Sequence, residues 1–493
     1  MNRTPERRRA DLVRIATDTM TERGLEPEFS AAVAAQLASI NGPGDDAGAP
    51  IAQIADMRLM PWCSIDNDDS RDLDQLTACE PLEGGAIKLF IAVADVDVRV
   101  AKATAIDDHA RFNTTSVYTA ARIFPMLPER LSTDLTSLNP GQDRLAIVTT
   151  MVITADASVT QTTVQRARVH NKAQLAYDAL SVWIEGRGAL PAAAAAVPGL
   201  DAQLRMQDEA AQRLRARRHA QGALEFETLQ PRAVYENGRV VEIRQQVQNR
   251  ARQLIEELMI ATNRATAQFL AQHGSASLRR VVRSPERWQR IVLEARKYGE
   301  ALPHEPDSRA LEAFLAKRRQ ADPLRFPDLS LVIVKLMGSG EYVVEQPGAT
   351  PIGHFGLALR DYTHSTAPNR RFPDLVTSRL LKAVLGGNPA PYSVAELNAL
   401  AAHCSQQEDA AQKVERKLRK CEAALLLESH VGQRYDAIVT GRSDSNTWVR
   451  TFSPPVEGML SGHAAQIDIG QRVQVKLVAT DVERGFIDFE LLH

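Results

Sequence analysis

Cys63-Ser64-Ile65-Asp66-Asn67-Asp68-Asp69-Ser70-Arg71-Asp72-Leu73-Asp74-Gln75 gathers five aspartates directly behind the apolar approach Leu59-Met60-Pro61-Trp62. Carboxylates crowded this way repel one another, and a fold that brings them together needs a cation to offset the repulsion. Hard oxygen donors suit magnesium, with manganese as a substitute. In an extended segment side chains two apart share a face, so Asp72 and Asp74 project together while the loop 67–71 folds Asp66 back towards them. The segment therefore reads as an active centre with Asp66, Asp72 and Asp74 as metal ligands. The plainer reading is a solvated acidic loop. An EF-hand calcium loop does not fit, because counting from Asp66 its glycine position holds Arg71 and its closing glutamate position holds Thr77.

A chain of 493 residues calls for two to four domains, since single cores stop growing at about 250–300 residues. The net charge of -2 gives no global signature of nucleic-acid binding, so any basic surface must be local. Cys63, Cys79, Cys404 and Cys421 form no CxxC pair, which argues against structural zinc and a disulfide framework. No apolar run approaches the roughly 20 residues that span a bilayer, and the basic N-terminus leads into no apolar signal core. A soluble, cytoplasmic protein with no membrane partner is expected.

Towards the N-terminus, Thr4-Pro5 opens a helix carrying Leu12, Ile15, Ala16 and Met20; Phe29, Val33, Leu37 and Ile40 repeat the pattern up to Asn41-Gly42-Pro43-Gly44. Residues 1–56 are thus expected to form a small helical module, either helix-turn-helix-like or a packing unit. Beyond the acidic segment, 87–94 and 145–153 read as buried strands. The Ala192-Ala193-Ala194-Ala195-Ala196 run reads as a surface insertion, and a helix over 201–220 ends in Arg213, Arg215, Arg217 and Arg218, taken as a solvated face. Further helices are expected over 249–273 and from the capping box Ser393/Glu396 to about residue 428. From Gly432 the texture changes to short alternating strands at 435–439, 448–452, 473–478 and 486–491, which suits a five-stranded barrel of the oligonucleotide-binding type. Tyr435, Trp448, Arg450, Phe452 and His463 are its candidate RNA contacts, with core packing as the competing fate of the aromatics.

A second informative stretch is Gly353-His354-Phe355-Gly356-Leu357-Ala358-Leu359, followed by Tyr362-Thr363-His364-Ser365-Thr366-Ala367-Pro368-Asn369-Arg370-Arg371-Phe372-Pro373-Asp374. With the acidic segment it resembles the catalytic domain of the ribonuclease II family. Ile91-Ala92-Val93-Ala94-Asp95, Thr115-Ser116-Val117-Tyr118, Pro125-Met126-Leu127-Pro128 with Leu131-Ser132, and Glu256-Glu257 with Asn263 agree in the same order. The resemblance implies a multidomain α+β chain: the helical module, a large mixed α/β RNB catalytic domain over 57–428 closed by the long helix, and an S1 barrel over 429–493. It also implies a monomeric, magnesium-dependent hydrolase that shortens single-stranded RNA from a free 3′ end to 5′-nucleoside monophosphates. The alternative is a catalytically weakened RNA-binding or regulatory protein of the same fold.

Residue by residue, the resemblance gives Arg370 the stabilisation of transition-state charge, against the alternative of a structural bridge to Asp374. It gives Tyr118 stacking on the 3′-terminal base, Tyr177 a place beside the scissile phosphate, and Thr366 and Arg371 RNA contact, with a structural role open for Arg371. Trp448 is the RNA contact expected of the barrel. His354 and His364 are read as scaffolding. Two departures stand out. Helices replace the paired cold-shock barrels common at the family's N-terminus, and the family's Asp-Asp becomes Asp74-Gln75, a loss that Asp68 or Asp69 is expected to repair.

Overall fold

The computed structural model describes residues 5–43, 54–227, 231–236, 239–245, 248–443, 446–461, 467 and 469–492. The first nine strands are β1 (Ile54–Asp56), β2 (Cys63–Asp66), β3 (Gln75–Pro81), β4 (Ile87–Ala94), β5 (Val117–Tyr118), β6 (Ile123–Phe124), β7 (Asp143–Ile153), β8 (Val159–His170) and β9 (Ala173–Ala176). Seven of them form a mixed sheet in the order β1-β8-β7-β4-β3-β2-β9, with β5 and β6 as a separate hairpin. β1 pairs in parallel with β8, so the sheet begins at Ile54, three residues before the expected domain start.

The apolar run of β4 is explained by burial on both faces. Phe90, Ala92 and Ala94 enter a core shared with Phe372, Leu375 and Val376 of the helix Phe372–Gly386. Leu89, Ile91 and Val93 enter a second core with Leu204 and Ala211 of the helix Leu200–Ala220 and Leu254 and Leu258 of the helix Arg250–Gln272. Each large side chain buried this way contributes about 1.5–3 kcal/mol, which fixes the register of the strand that backs the acidic loop.

The N-terminal helices do not share a core with each other. Pro5–Glu22 packs Leu12, Ile15 and Met20 on Val117, Phe124, Val414 and Leu418, whereas Ala31–Ser39 sends Val33 into the first core of the sheet. The alanine run is not purely superficial: Ala192–Ala195 is a short helix whose Ala194 is fully buried in the second core. Nor do the arginines of Leu200–Ala220 form a solvated face. Arg218 is buried with Glu257 (Nε–Oε2 3.1 Å), Arg213 reaches Glu209, Arg215 reaches Glu225, and Arg217 reaches Asp156 and Ser158. Arg218, Arg215 and Arg217 are taken up by partners outside their helix, and Arg213 by a glutamate one turn back on it.

A hairpin of β10 (Pro231–Glu236) and β11 (Arg239–Gln245) and a pair of β12 (Ser277–Val281) with β13 (Glu341–Glu345) follow. Helices Trp288–Arg296, Ser308–Ala321 and Phe326–Met337 share a core of their own around Ile291, Phe314 and Phe326. The long helix Val394–Leu427 opens on the expected capping box and ends inside the barrel core with Ala424 and Leu427.

The barrel itself closes from β14 (Arg434–Arg442), β15 (Thr447–Thr451), β16 (Glu457–Ser461), β17 (Arg472–Asp481) and β18 (Phe486–Leu492) in the order β14-β15-β16-β18-β17. β16 is a strand the sequence pattern does not announce. Its Gly458 is required because a Cβ there would stand 2.5 Å from the Phe489 ring and 2.6 Å from the Ile487 carbonyl. Tyr435 packs against this core, edge to face with Phe489 at 6.2 Å. His463 lies outside the described residues.

Candidate active site

The acidic segment leaves β2 at Asp66, crosses a turn and enters β3 at Gln75. Ser70 donates its backbone N–H to the Asn67 carbonyl at 3.2 Å, so Asp68 and Asp69 occupy the tip of a turn and are exposed. Neither takes the place of the missing carboxylate, which corrects the expectation above. Gln75 is nearly buried and pairs with Val93.

Behind the turn the chain is anchored firmly. Leu73 N–H donates to Ser137 Oγ (3.0 Å), Leu138 N–H to the Leu73 carbonyl (2.9 Å), and Ala94 N–H to the Asp74 carbonyl (3.0 Å). Asp74, 2% exposed, accepts the Asn369 backbone N–H on Oδ1 at 2.9 Å and the Arg370 Nε–H on Oδ2 at 3.3 Å. Residues some three hundred positions apart thus meet at one carboxylate.

The loop carrying Arg370 is held by buried groups at every step. Asn263 Oδ1 accepts the Ser365 N–H (2.8 Å), Asp374 Oδ1 accepts the Ala367 N–H (2.9 Å), and Thr136 Oγ donates to Asn369 Oδ1 (2.6 Å). Arg371, not Arg370, bridges to Asp374 (2.7 Å). Arg370 is thereby left with 45% of its side chain exposed in the cleft. Thr366 is buried within this loop.

Tyr118, at the end of β5, donates its hydroxyl to Asp72 Oδ2 at 2.9 Å, while its backbone N–H is held by Glu415 of the long helix at 3.1 Å. Across the cleft the Arg252 guanidinium lies 4.5 Å from the Tyr177 ring centroid and donates to Asn67 Oδ1 at 2.8 Å. Arg252, Asn369, Thr136 and Glu415 are site residues that the sequence reading missed. Trp448 stands on the outer side of β15, where the alternate residue Arg450 is engaged with Asp328 at 2.7 Å, which ties the barrel to the helix Phe326–Met337. Phe452 is exposed beside Arg472.

Burial pushes the Asp74 carboxyl up to about 7, against the pull of Arg370 and with the Asp72 charge adding to the rise. Burial raises Asp66 as well. These are hard oxygen donors under-compensated by the protein's own cations, which fits a divalent ion. Their oxygens do not all lie within 4.8 Å of one another; among the described residues His219, Glu225 and Glu312 do, but Arg215 and Arg319 already pair with Glu225. The histidines stand elsewhere. Desolvation lowers His354 to about 4, and its Nδ1 accepts the Leu357 N–H, while half-buried His364, also lowered, meets the Tyr342 hydroxyl at 2.7 Å.

A mixed sheet presenting an acidic loop to an arginine loop, followed by a closed five-stranded barrel, defines an RNB-type nuclease fold joined to an S1-type module. Residues 54–387 match the RNB domain and residues 433–492 the RNase II-type exonuclease C-terminal S1 domain. The chain belongs to the RNB, or ribonuclease II, family. Ribonuclease R of Vibrio cholerae is 30% identical over 484 residues, covering 89% of this chain and 57% of the relative. The chain thus spans little more than half of that relative's length. Among solved structures, Mycoplasma genitalium RNase R in complex with ribose-methylated single-stranded RNA superposes with a TM-score of 0.88 at 21% identity, covering 98% of this chain and 78% of the other. Yeast Ssd1, described as a pseudonuclease, follows the same fold at a TM-score of 0.69 and 17% identity, covering 88% and 53%. Among the described residues no helix is long and apolar enough to cross a membrane.

Proposed function

We propose that this chain is a 3′-to-5′ hydrolytic exoribonuclease that acts as a monomer on single-stranded RNA and releases 5′-nucleoside monophosphates. The observation that carries this reading is the junction of Asp74 with the Asn369 N–H and Arg370. Asp66, Asp72 and Asp74 would hold a divalent cation, magnesium by the hardness of the donors. When bound, such an ion supplies Lewis-acid polarisation of the scissile phosphate and lowers the pKa of water.

The protein's own groups do the rest. Arg370, pre-aimed by Asp74 and by its braced loop, meets charge that grows on the phosphate oxygens, so it stabilises the transition state more than the ground state. Tyr118 offers a ring for the terminal base, and stacking tolerates every base. Its hydroxyl, bonded to Asp72, orients that carboxylate. Tyr177, backed by Arg252, walls the opposite side. His354 and His364, half-buried and each held below the usual imidazole range, brace the fold and move no proton.

Incubating 5′-labelled single-stranded RNA with and without magnesium, with Asp74→Asn as control, tests the assignment. A ladder shortening from the 3′ end only with the wild-type chain and magnesium supports it. Gln75 favours a second reading, an RNA-binding protein of this fold with weakened chemistry, as the yeast pseudonuclease Ssd1 illustrates. Intact RNA retained on a filter would support that reading.

A further inference from the structure

The ring that faces Asp72 is carried by a very small element. β5 and β6 share two residue pairs, Val117 with Phe124 and Tyr118 with Ile123, and form a ribbon of their own. An isolated ribbon of that size is at best marginal in water, so what it packs on must set its direction. Successive side chains of a strand face opposite ways, which makes the outcome binary: burying Val117 and Phe124 turns Tyr118 and Ile123 outward. Val117 and Phe124 are indeed buried, while Tyr118 and Ile123 are exposed, Tyr118 with its hydroxyl on Asp72. The buried face shares a core with two helices. The long helix supplies Val414 and Leu418, and the helix Pro5–Glu22 supplies Leu12, Ile15, Ala16 and Met20. Polar ties run the same way. Arg9 donates to the Ala121 carbonyl at 3.4 Å, Arg122 and Glu28 pair through two contacts of 2.6 and 3.0 Å, and the Arg122 guanidinium lies 4.7 Å from the Phe124 ring centroid. The N-terminal segment thus grips the ribbon on its buried face and at its turn.

We infer that the helix Pro5–Glu22 is a positioning element for Tyr118: by closing over Val117 and Phe124 it holds the ring in the cleft, so the grip on the 3′-terminal base depends on apolar side chains buried behind the ribbon. This rests on the reading of Tyr118 as the platform for that base. Arg370 is insulated from slack in the ribbon. Ser116 N–H donates to the Arg370 carbonyl at 3.0 Å, but Asn263, Asp374 and Thr136 hold the arginine loop independently. Loosening the helix therefore falls on recognition of the base and spares the chemistry at the phosphate. The neighbouring helix Ala31–Ser39 supplies an internal control, because its Val33 is buried in the core of the sheet and not behind the ribbon.

Two 5′-labelled single-stranded RNAs with magnesium test this, one ending in an ordinary nucleoside and one whose 3′-terminal nucleoside lacks its base. For the wild-type chain, removing the base should lower kcat/KM of the first cut about tenfold, the loss of one stacked base. Ile15→Ala, which hollows the shared core, should lower kcat/KM several-fold on the ordinary RNA and leave the abasic RNA at its wild-type value, so the ratio shrinks. Added to Tyr118→Ala, the same change should cost nothing further. Val33→Ala should keep the tenfold ratio. If Ile15→Ala does not fold, as judged by its circular dichroism melt, Ile15→Val carries the test with a smaller shift. An unchanged ratio in the Ile15 variant, equal losses on both RNAs, or a further loss in the Tyr118→Ala background would overturn the inference. Wild-type protein that cuts both RNAs equally well would overturn the Tyr118 reading and the inference with it. Wild-type protein that leaves both RNAs intact would instead overturn the exonuclease reading, and the same ratios would then be read by filter retention.

Discussion

The carboxylate cleft and the C-terminal barrel are built on opposite principles. In the cleft almost every contact that matters joins residues far apart in the chain: Asp74 to Asn369 and Arg370, Tyr118 to Asp72, Arg252 to Asn67. The barrel is assembled from neighbouring strands around a core plugged by the end of the long helix, and its polar ties among the described residues include Arg450–Asp328 and Arg14–Glu483. One region is over-determined and the other is moored. Damage to the first should therefore appear in the chemical step, and damage to the second in how RNA is held.

The sharpest way to break this contrast is Asp74→Asn, which keeps an acceptor for the Asn369 N–H but removes the charge. Cleavage of labelled RNA should fall by about 10³-fold or more, while filter retention of RNA stays close to wild type. Arg370→Ala should cost about 10²–10³-fold in kcat, read in single-turnover reactions, with a smaller change in KM. Breaking the mooring with Arg450→Ala should raise KM for long RNA roughly tenfold and leave kcat nearly unchanged; a fall in kcat equal to that of Arg370→Ala would erase the distinction between the two regions. The smallest effect concerns the braced loops behind the cleft. His354 binds its proton less readily when folded, at about 4, than in an unfolded chain, so its contribution to stability is present above about pH 6.5 and is lost as pH falls from there towards 4. Thermal melts over that window should show a shallower decline in His354→Gln.

The same contrast explains what the sequence could convey. The two-sided apolar run of β4, the capping box of Val394–Leu427 and the alternation of the barrel strands are local patterns, and they were readable as such. β16 escaped because Gly458 and its short length carry no strand signal. The carboxylates were legible from their local crowding, but Arg370 only through its motif, since no local pattern states that residues 74 and 370 touch. Arg252 and Glu415 sit on ordinary amphipathic helices and have no motif to betray them. Arg218 was misjudged because a terminal arginine cluster looks the same whether it meets water or a buried glutamate.

The helix Val394–Leu427, at 34 residues, is about 50 Å long. Along that rod sit the packing surface for the N-terminal helix, the glutamate that fixes the Tyr118 backbone, and the plug of the barrel core. A single inserted residue midway would swing everything beyond it by about 100°, since 3.6 residues make a turn. Length, more than any one side chain, is what this rod cannot trade.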